Sequence, residues 1–200
     1  MAVAIVPAAG ASRRMGSPKP LLPFGGGSVL GAVAAALAGG GASETVVVVG
    51  GPDAAALDRH AAALGLRRAV NPDPARGMLS SVLAGLEALG GAGAIARRGE
   101  PLLVCPADLP ALSAATVRAV VDRLEAGAAL AVAVHSGRRG HPLGIAARLA
   151  PEIESLDPAV GLRQLLDRHR DEVAEVPVDD PGAVDDADTP ADYRRLLGRR

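Results

Sequence analysis

The chain of 200 residues holds twenty arginines but a single lysine, and that lysine sits in a loop dense with small residues. Lys19 lies in "AAGASRRMGSPKPLLP" (8–23), a few residues after Arg13 and Arg14, directly behind the apolar run "VAIV" (3–6). Small residues let backbone N–H groups come close to the oxygens of an anion. Arg and Lys supply the countercharge. A polyphosphate would use all of these features, whereas a solvated loop with ordinary basic residues needs only some of them. Neither G-x-x-x-x-G-K-[ST] nor G-x-G-x-x-G is present, so the spacing alone leaves both readings open.

Three other segments carry residues capable of chemistry. In "NPDPARGMLSS" (71–81), Asn71 and Asp73 can hydrogen-bond a base or a ribose, and Gly77 and Ser80 stand where a helix start can hold an anion. N-P-D-P is equally good turn chemistry. In "VCPADLPAL" (104–112), Asp108 follows an apolar run, where a carboxylate can bind Mg2+ through oxygen or simply form a turn. In "GRRGHPLGI" (137–145), Arg138 and Arg139 make a basic edge suited to a phosphate, next to a His141 that a structural role would also explain. Near the C-terminus, "DDADTPADY" (185–193) offers Asp188 and Asp186 as second metal ligands, although capping of a helix by Asp-Thr-Pro accounts for much of this pattern.

These segments need a scaffold, and the hydrophobic pattern describes one. Apolar, β-branched runs at 3–6, 45–51, 67–70, 101–110 and 129–135 read as strands, with further strands at 142–146 and 173–178. Between them lie helical stretches after Ser28, after Asp53, from Ser80 or Ser81 to about Leu89, after Ser113, within 160–169, and from Pro190 with Thr189 as N-cap. "GGAGAIARRGE" (90–100) reads as a surface loop. Alternating strands and helices predict an α/β chain with a mainly parallel sheet covered on both faces, in one domain over residues 1–200. Ligands of such sheets bind beyond the carboxyl ends of the strands. Segments 7–19, 71–81 and 105–110 all follow strands.

Composition narrows the function. Aromatic residues make up 1% of the chain, so base-stacking platforms for single-stranded nucleic acid are missing. A formal net charge of −1 argues against nucleic-acid or membrane-surface partners. One cysteine excludes an internal disulfide, and with no basic signal-like leader and no membrane-length apolar run the expectation is a cytoplasmic protein. Cys105 reads as a small buried hydrophobe.

The first loop resembles the signature of the cytidylyltransferase and molybdopterin nucleotidyltransferase group, A-A-G-x-S-x-R-M-G followed by K-x-L-L-P. Similarity to the molybdenum cofactor cytidylyltransferase branch continues through N-P with G-M-x-x-S, D-x-P, G-x-x-G-H-P and D-x-D-T-P, and covers nearly the whole chain. Methylerythritol-phosphate cytidylyltransferase shares the first loop but expects H-D-x-x-R-P where this chain has "CPADLPAL". Guanylyl-transferring relatives tend to carry A-G-G where this chain has "AAG". Pro7, where the molybdopterin branch more often has Leu, is one departure.

The resemblance implies a three-layer Rossmann-like fold of the nucleotide-diphospho-sugar transferase type. It further implies transfer of CMP from CTP to the terminal phosphate of a molybdopterin acceptor, with pyrophosphate leaving. Arg14, Lys19 and Asp108 are then the catalytic residues. Ala8, Ala9, Gly10, Arg14, Lys19, Asn71, Gly77 and Ser80 bind the nucleotide. His141, Arg138 and Arg139 face the acceptor, and Asp108 with Asp188 holds Mg2+. The expected partners are CTP, the phosphorylated pterin and an apo-molybdoenzyme. A non-catalytic carrier that hands a pterin cofactor to an apo-enzyme is the alternative class.

Overall fold

The structure is a computed structural model that describes residues 1–10 and 15–198. The chain opens with strand β1 (Ala2–Pro7), then the short strands β2 (Pro23–Phe24) and β3 (Gly27–Ser28) and helix α1 (Val29–Gly39). Strand β4 (Ala42–Val49), helix α2 (Ala54–Ala63), strand β5 (Arg67–Val70), and helices α3 (Met78–Ala88) and α4 (Ala92–Arg98) follow. The second half comprises β6 (Leu102–Val104), α5 (Ala114–Glu125), β7 (Leu130–His135), β8 (Arg138–Ile145), α6 (Ala150–Ile153), α7 (Arg163–Arg168), β9 (Val173–Pro177) and α8 (Pro190–Leu197).

Seven strands form one sheet in the order β5-β4-β1-β6-β8-β7-β9. All neighbours run parallel except β8, which is antiparallel to both β6 and β7. Alternate residues of β1 enter different cores. Ala2, Ala4 and Val6 pack with Leu30, Val33 and Leu37 of α1 and Val117 and Val120 of α5. Val3 and Ile5 pack on the other face with Leu79, Val82 and Leu86 of α3 and Ile95 of α4. Burial on both faces is why the strand reads as an unbroken apolar run rather than an alternating one. The fold is therefore the α/β fold with a mainly parallel, partly mixed central sheet that the sequence predicts.

Local chemistry sets the boundaries. Ser28 caps α1, its Oγ accepting from Gly31 N at 3.0 Å, and Ser113 caps α5 by accepting from Thr116 N at 3.1 Å. Thr189 and Asp192 form a reciprocal capping box with Pro190 at the first helical position of α8. Gly25 and Gly26, both with positive φ, make the two-residue turn of the β2–β3 hairpin.

Several elements differ from the expectation. Residues 90–100 are not a loop throughout: α4 forms because Ala92 and Ile95, three apart, bury on the core. Helix α3 starts at Met78 with Gly77 at its N-cap, and Ser80 and Ser81 lie inside its first turn. Asp53 sits at the N-cap of α2 without making the capping bond. Strand β8 begins at Arg138, well before 142, because its antiparallel partner β7 pairs with it from His135 onward. Among the described residues no single helix is long and apolar enough to cross a membrane.

Helix α3 crosses β1 closely. A Cβ placed on Gly85 would lie 2.7 Å from Ile5 Cγ2 and 2.9 Å from its Cγ1 and Cδ1. Ile5 is fully buried and has no room to yield. Gly85→Ala is expected to lower the unfolding free energy by about 1–3 kcal/mol despite its better helix propensity, as read by urea denaturation.

Candidate functional site

The pairing of β1 with β6 brings two loops side by side at the carboxyl edge of the sheet. Cys105 N donates to Ile5 O at 3.1 Å just beyond β6, and Ala8 N donates to Val48 O at 2.8 Å just beyond β1. Between them opens a cleft of about 620 Å³, walled by Pro7–Gly10, Lys19, Pro20, Gly51, Asp73–Ala75 and Pro106–Asp108. Its floor is tightly packed: a Cβ on Gly50 would meet Asn71 O at 2.8 Å and the Ala9 Cβ and Pro74 Cγ at 2.9 Å.

Lys19 leads a short 3-10 turn over Lys19–Leu21, behind Pro18. Its Nζ donates to Asp108 Oδ2 at 3.1 Å and also to Asp188 Oδ1. The three side chains are only 12%, 25% and 28% exposed, so water screens the charges poorly. Burial works against the ammonium, yet the hydrogen bond to Asp188 and the charge and hydrogen bond of Asp108 outweigh it. The Lys19 pKa therefore lies above the ordinary lysine value. Burial, helped by the nearby charges of Asp188 and Asp108, raises the Asp186 carboxyl above its usual range.

The C-terminal segment reaches this point through the backbone. Ala187 N donates to Asp108 O at 2.9 Å, which sets Asp186 and Asp188 on either side of that junction. Upstream, Asp180 is nearly buried and anchors the segment to the start of α5. It accepts from Ser113 N at 2.9 Å, Thr116 Oγ1 at 2.6 Å and Gly182 N at 2.9 Å. Burial opposes ionisation of Asp180, but these hydrogen bonds prevail and hold its pKa below the ordinary value.

A smaller cavity of about 140 Å³ adjoins the cleft at Pro106 and Asp108, and is completed by Leu109, Arg139–His141, Ala183, Val184 and Asp186. Burial lowers the His141 pKa, although the charge of Asp108 and the Val104 carbonyl pull the other way. His141 Nδ1 is enclosed and lacks a well-formed hydrogen bond among the described residues. Strand β8 and the 181–184 turn nearly touch here, since a Cβ on Gly140 would lie 2.2 Å from Ala183 O.

The sequence matches the MobA-like NTP transferase domain over residues 4–173. The chain belongs to this family. It is thus a nucleotidyltransferase. Among solved structures, Rv0371c from Mycobacterium tuberculosis H37Rv is 28% identical, with 99% of each chain covered and a TM-score of 0.79. A complex of Rv0371c with manganese is 27% identical over 99% of this chain and 98% of that one, with a TM-score of 0.73. A nucleotidyl transferase from Methanothermobacter thermautotroptrophicus shares the fold at a TM-score of 0.80 and 24% identity, over 100% and 97% of the two chains. No curated protein matches the sequence.

In this nucleotidyltransferase, Ala8, Ala9, Gly10, Lys19 and Asp108 line the cleft together. Asp188 joins them through Lys19. Arg14 lies outside the described residues. Asn71 is not on the cleft wall: it is 3% exposed, and its Nδ2 donates to Ser80 Oγ at 2.8 Å and Ser81 Oγ at 2.9 Å. Its Oδ1 accepts from Asp73 N at 3.0 Å, so Asn71 shapes the turn that presents Asp73. Ser80 is likewise spent on Asn71 and Gly77 O, and Gly77 caps α3 outside the cleft lining. His141 and Arg139 line the smaller cavity, with Arg139 also paired to Glu175 at 2.8 Å. Arg138 is exposed and lines neither space.

Sequence reasoning missed Gly51, Pro74, Ala75 and Asp180. Gly51 follows β4, where the strand-end rule would have found it, whereas Pro74 and Ala75 lie inside the 71–81 segment that the rule did single out but carry no side-chain chemistry to mark them. Asp180 carried no motif. Asp180→Ala would strand two donors at the start of α5 and one in the 181–183 turn, with an expected loss of about 2–3 kcal/mol at neutral pH. Because its folded pKa is depressed, the carboxylate's contribution is fully present above its unfolded pKa of about 3.9. It fades as pH falls through the folded value, so wild type and variant should converge in chemical denaturation at acid pH.

Proposed function

We propose that the chain transfers CMP from CTP to the terminal phosphate of molybdopterin carrying molybdenum, releasing pyrophosphate. The observation that supports this most is the convergence of Lys19, Asp108 and Asp188, from three distant segments, beside a cleft of nucleotide size lined by Ala8–Gly10. The Ala-Ala-Gly turn and the resemblance of the G-H-P and D-T-P segments to the molybdopterin branch favour cytidine and a pterin acceptor.

The chemistry asks mainly for position and charge. An oxygen of the acceptor phosphate attacks the α-phosphorus of CTP as the bond to the pyrophosphate bridging oxygen breaks. The nucleotide occupies the larger cleft, with Ala8–Gly10 as its wall and Asp73 on the facing turn. The acceptor phosphate enters from the smaller cavity, beside His141 and Arg139, so both reactants meet at Asp108. Lys19 and Arg14 hold the triphosphate and stabilise charge gathering on the leaving group. Arg138, on the same strand as Arg139, adds positive charge to the approach.

Asp108 and Asp188 fit a divalent cation. Both present carboxylate oxygens to one positive centre, and the Lys19 ammonium stands in for a cation there. Among the described residues no group of three or more His, Cys, Asp or Glu side chains is arranged for a metal. Two carboxylates suit Mg2+, which takes one or two from protein and the rest from water and phosphate. When bound, Mg2+ would neutralise charge on the phosphate oxygens. The manganese complex of Rv0371c supports a divalent cation in this family.

Purified protein given molybdenum-loaded pterin and each of CTP, GTP, ATP and UTP should release pyrophosphate with CTP. Release with GTP instead would reassign the base, and binding without release from any triphosphate would favour the carrier. Lys19→Ala should lower kcat by about 10²-fold, the scale of one lost transition-state charge contact. Unchanged kinetics in that variant would remove Lys19 from the mechanism.

A further inference from the structure

We infer that Lys19 holds the cation's place between Asp108 and Asp188 until a nucleotide arrives, so that metal and triphosphate bind as a coupled pair. The inference rests on the reading of Asp108 and Asp188 as metal ligands. The ammonium lies 3.1 Å from Asp108 Oδ2 and in contact with Asp188 Oδ1. A divalent ion on those same oxygens would face the ammonium at contact distance, in a poorly solvated setting where like charges strongly disfavour one another. One cation or the other is accommodated there.

Lys19 has somewhere else to go. Its side chain also lines the 620 Å³ cleft, and its four-carbon stem is flexible. A triphosphate in the cleft offers the ammonium new anionic partners. Its departure would take the ammonium away from the Asp108 and Asp188 oxygens that it contacts. A divalent cation can then approach those oxygens without an ammonium beside it. The pair supplies part of a cation's coordination and water can fill the rest, and the arriving phosphates replace some of that water with charged oxygens. The triphosphate therefore vacates the metal position and furnishes part of its coordination, and by linkage the metal strengthens triphosphate binding by the same factor.

Mn2+ titration followed by loss of the free-ion electron paramagnetic resonance signal, first with no nucleotide or acceptor present and then with CTP against a protein-free Mn2+–CTP control, tests this. Lys19→Met should bind Mn2+ about tenfold or more tightly than wild type, the scale of removing one neighbouring like charge. Lys19→Arg should stay as weak as wild type. Adding CTP should strengthen Mn2+ binding to wild type far more than to Lys19→Met. Equal or weaker Mn2+ binding by a folded Lys19→Met protein overturns the inference. If that variant does not fold, wild type alone decides: tight Mn2+ binding without nucleotide, unimproved by CTP, overturns it too. Adding Asp108→Asn to Lys19→Met separates the two readings. Should the tight Mn2+ site survive that change, the metal-ligand assignment fails, whereas its loss leaves that assignment standing whatever Lys19 does. The base or acceptor preference does not enter the measurement.

Discussion

Two carboxylates meeting one ammonium are the interaction on which the candidate site is built. Lys19 is 89 residues from Asp108 and 169 from Asp188, so nothing local holds them together. Three long-range devices do. Parallel pairing of β1 and β6 sets their carboxyl ends on one edge, which fixes the loops bearing Lys19 and Asp108. The backbone bond from Ala187 to Asp108 brings in the C-terminal segment. Asp180 ties that segment to the start of α5 by two hydrogen bonds and braces its own turn with a third, from Gly182 N. Charges so little exposed repel or attract strongly, and a site built on them tolerates little displacement.

Small side chains make this precision possible. With aromatics at 1% of the chain, the core is filled by Ala, Val, Leu and Ile, and elements approach one another closely. Gly85 lets α3 lie on β1, and Gly140 lets the 181–184 turn lie on β8. The second contact narrows the cavity beside His141 and carries the chain toward Asp186 and Asp188. The same economy of bulk leaves room at the sheet edge for a cleft. Shape and charge in this protein are thus two results of one composition.

Much of this was legible in the chain. Apolar runs at 3–6, 45–51 and 67–70 reported strands because burial on both faces leaves an unbroken hydrophobic record. Ser28, Ser113 and Thr189 marked helix starts because capping is a local hydrogen bond within a few residues. The 90–100 stretch misled because its glycines and arginines mask two buried residues, Ala92 and Ile95, whose burial depends on a core assembled from other elements. The start of α3 misled because Ser80 or Ser81 reads as opening the helix, whereas both lie inside its first turn and their hydroxyls accept from Asn71.

The sequence by itself determined the fold class, the strand-end position of the candidate loops and the identity of the charged residues within them. Those follow from periodicity and turn chemistry, which act over short stretches of backbone. Only the tertiary structure decided that Lys19 faces two carboxylates at once, that Asn71 is buried while Asp73 lines the cleft, and that Arg138 and Arg139 part company. These depend on β-sheet register, on the close approach of the 181–184 turn to β8 and on burial. Such contacts join residues far apart in the chain, and their energies depend on solvent exclusion that no single segment produces.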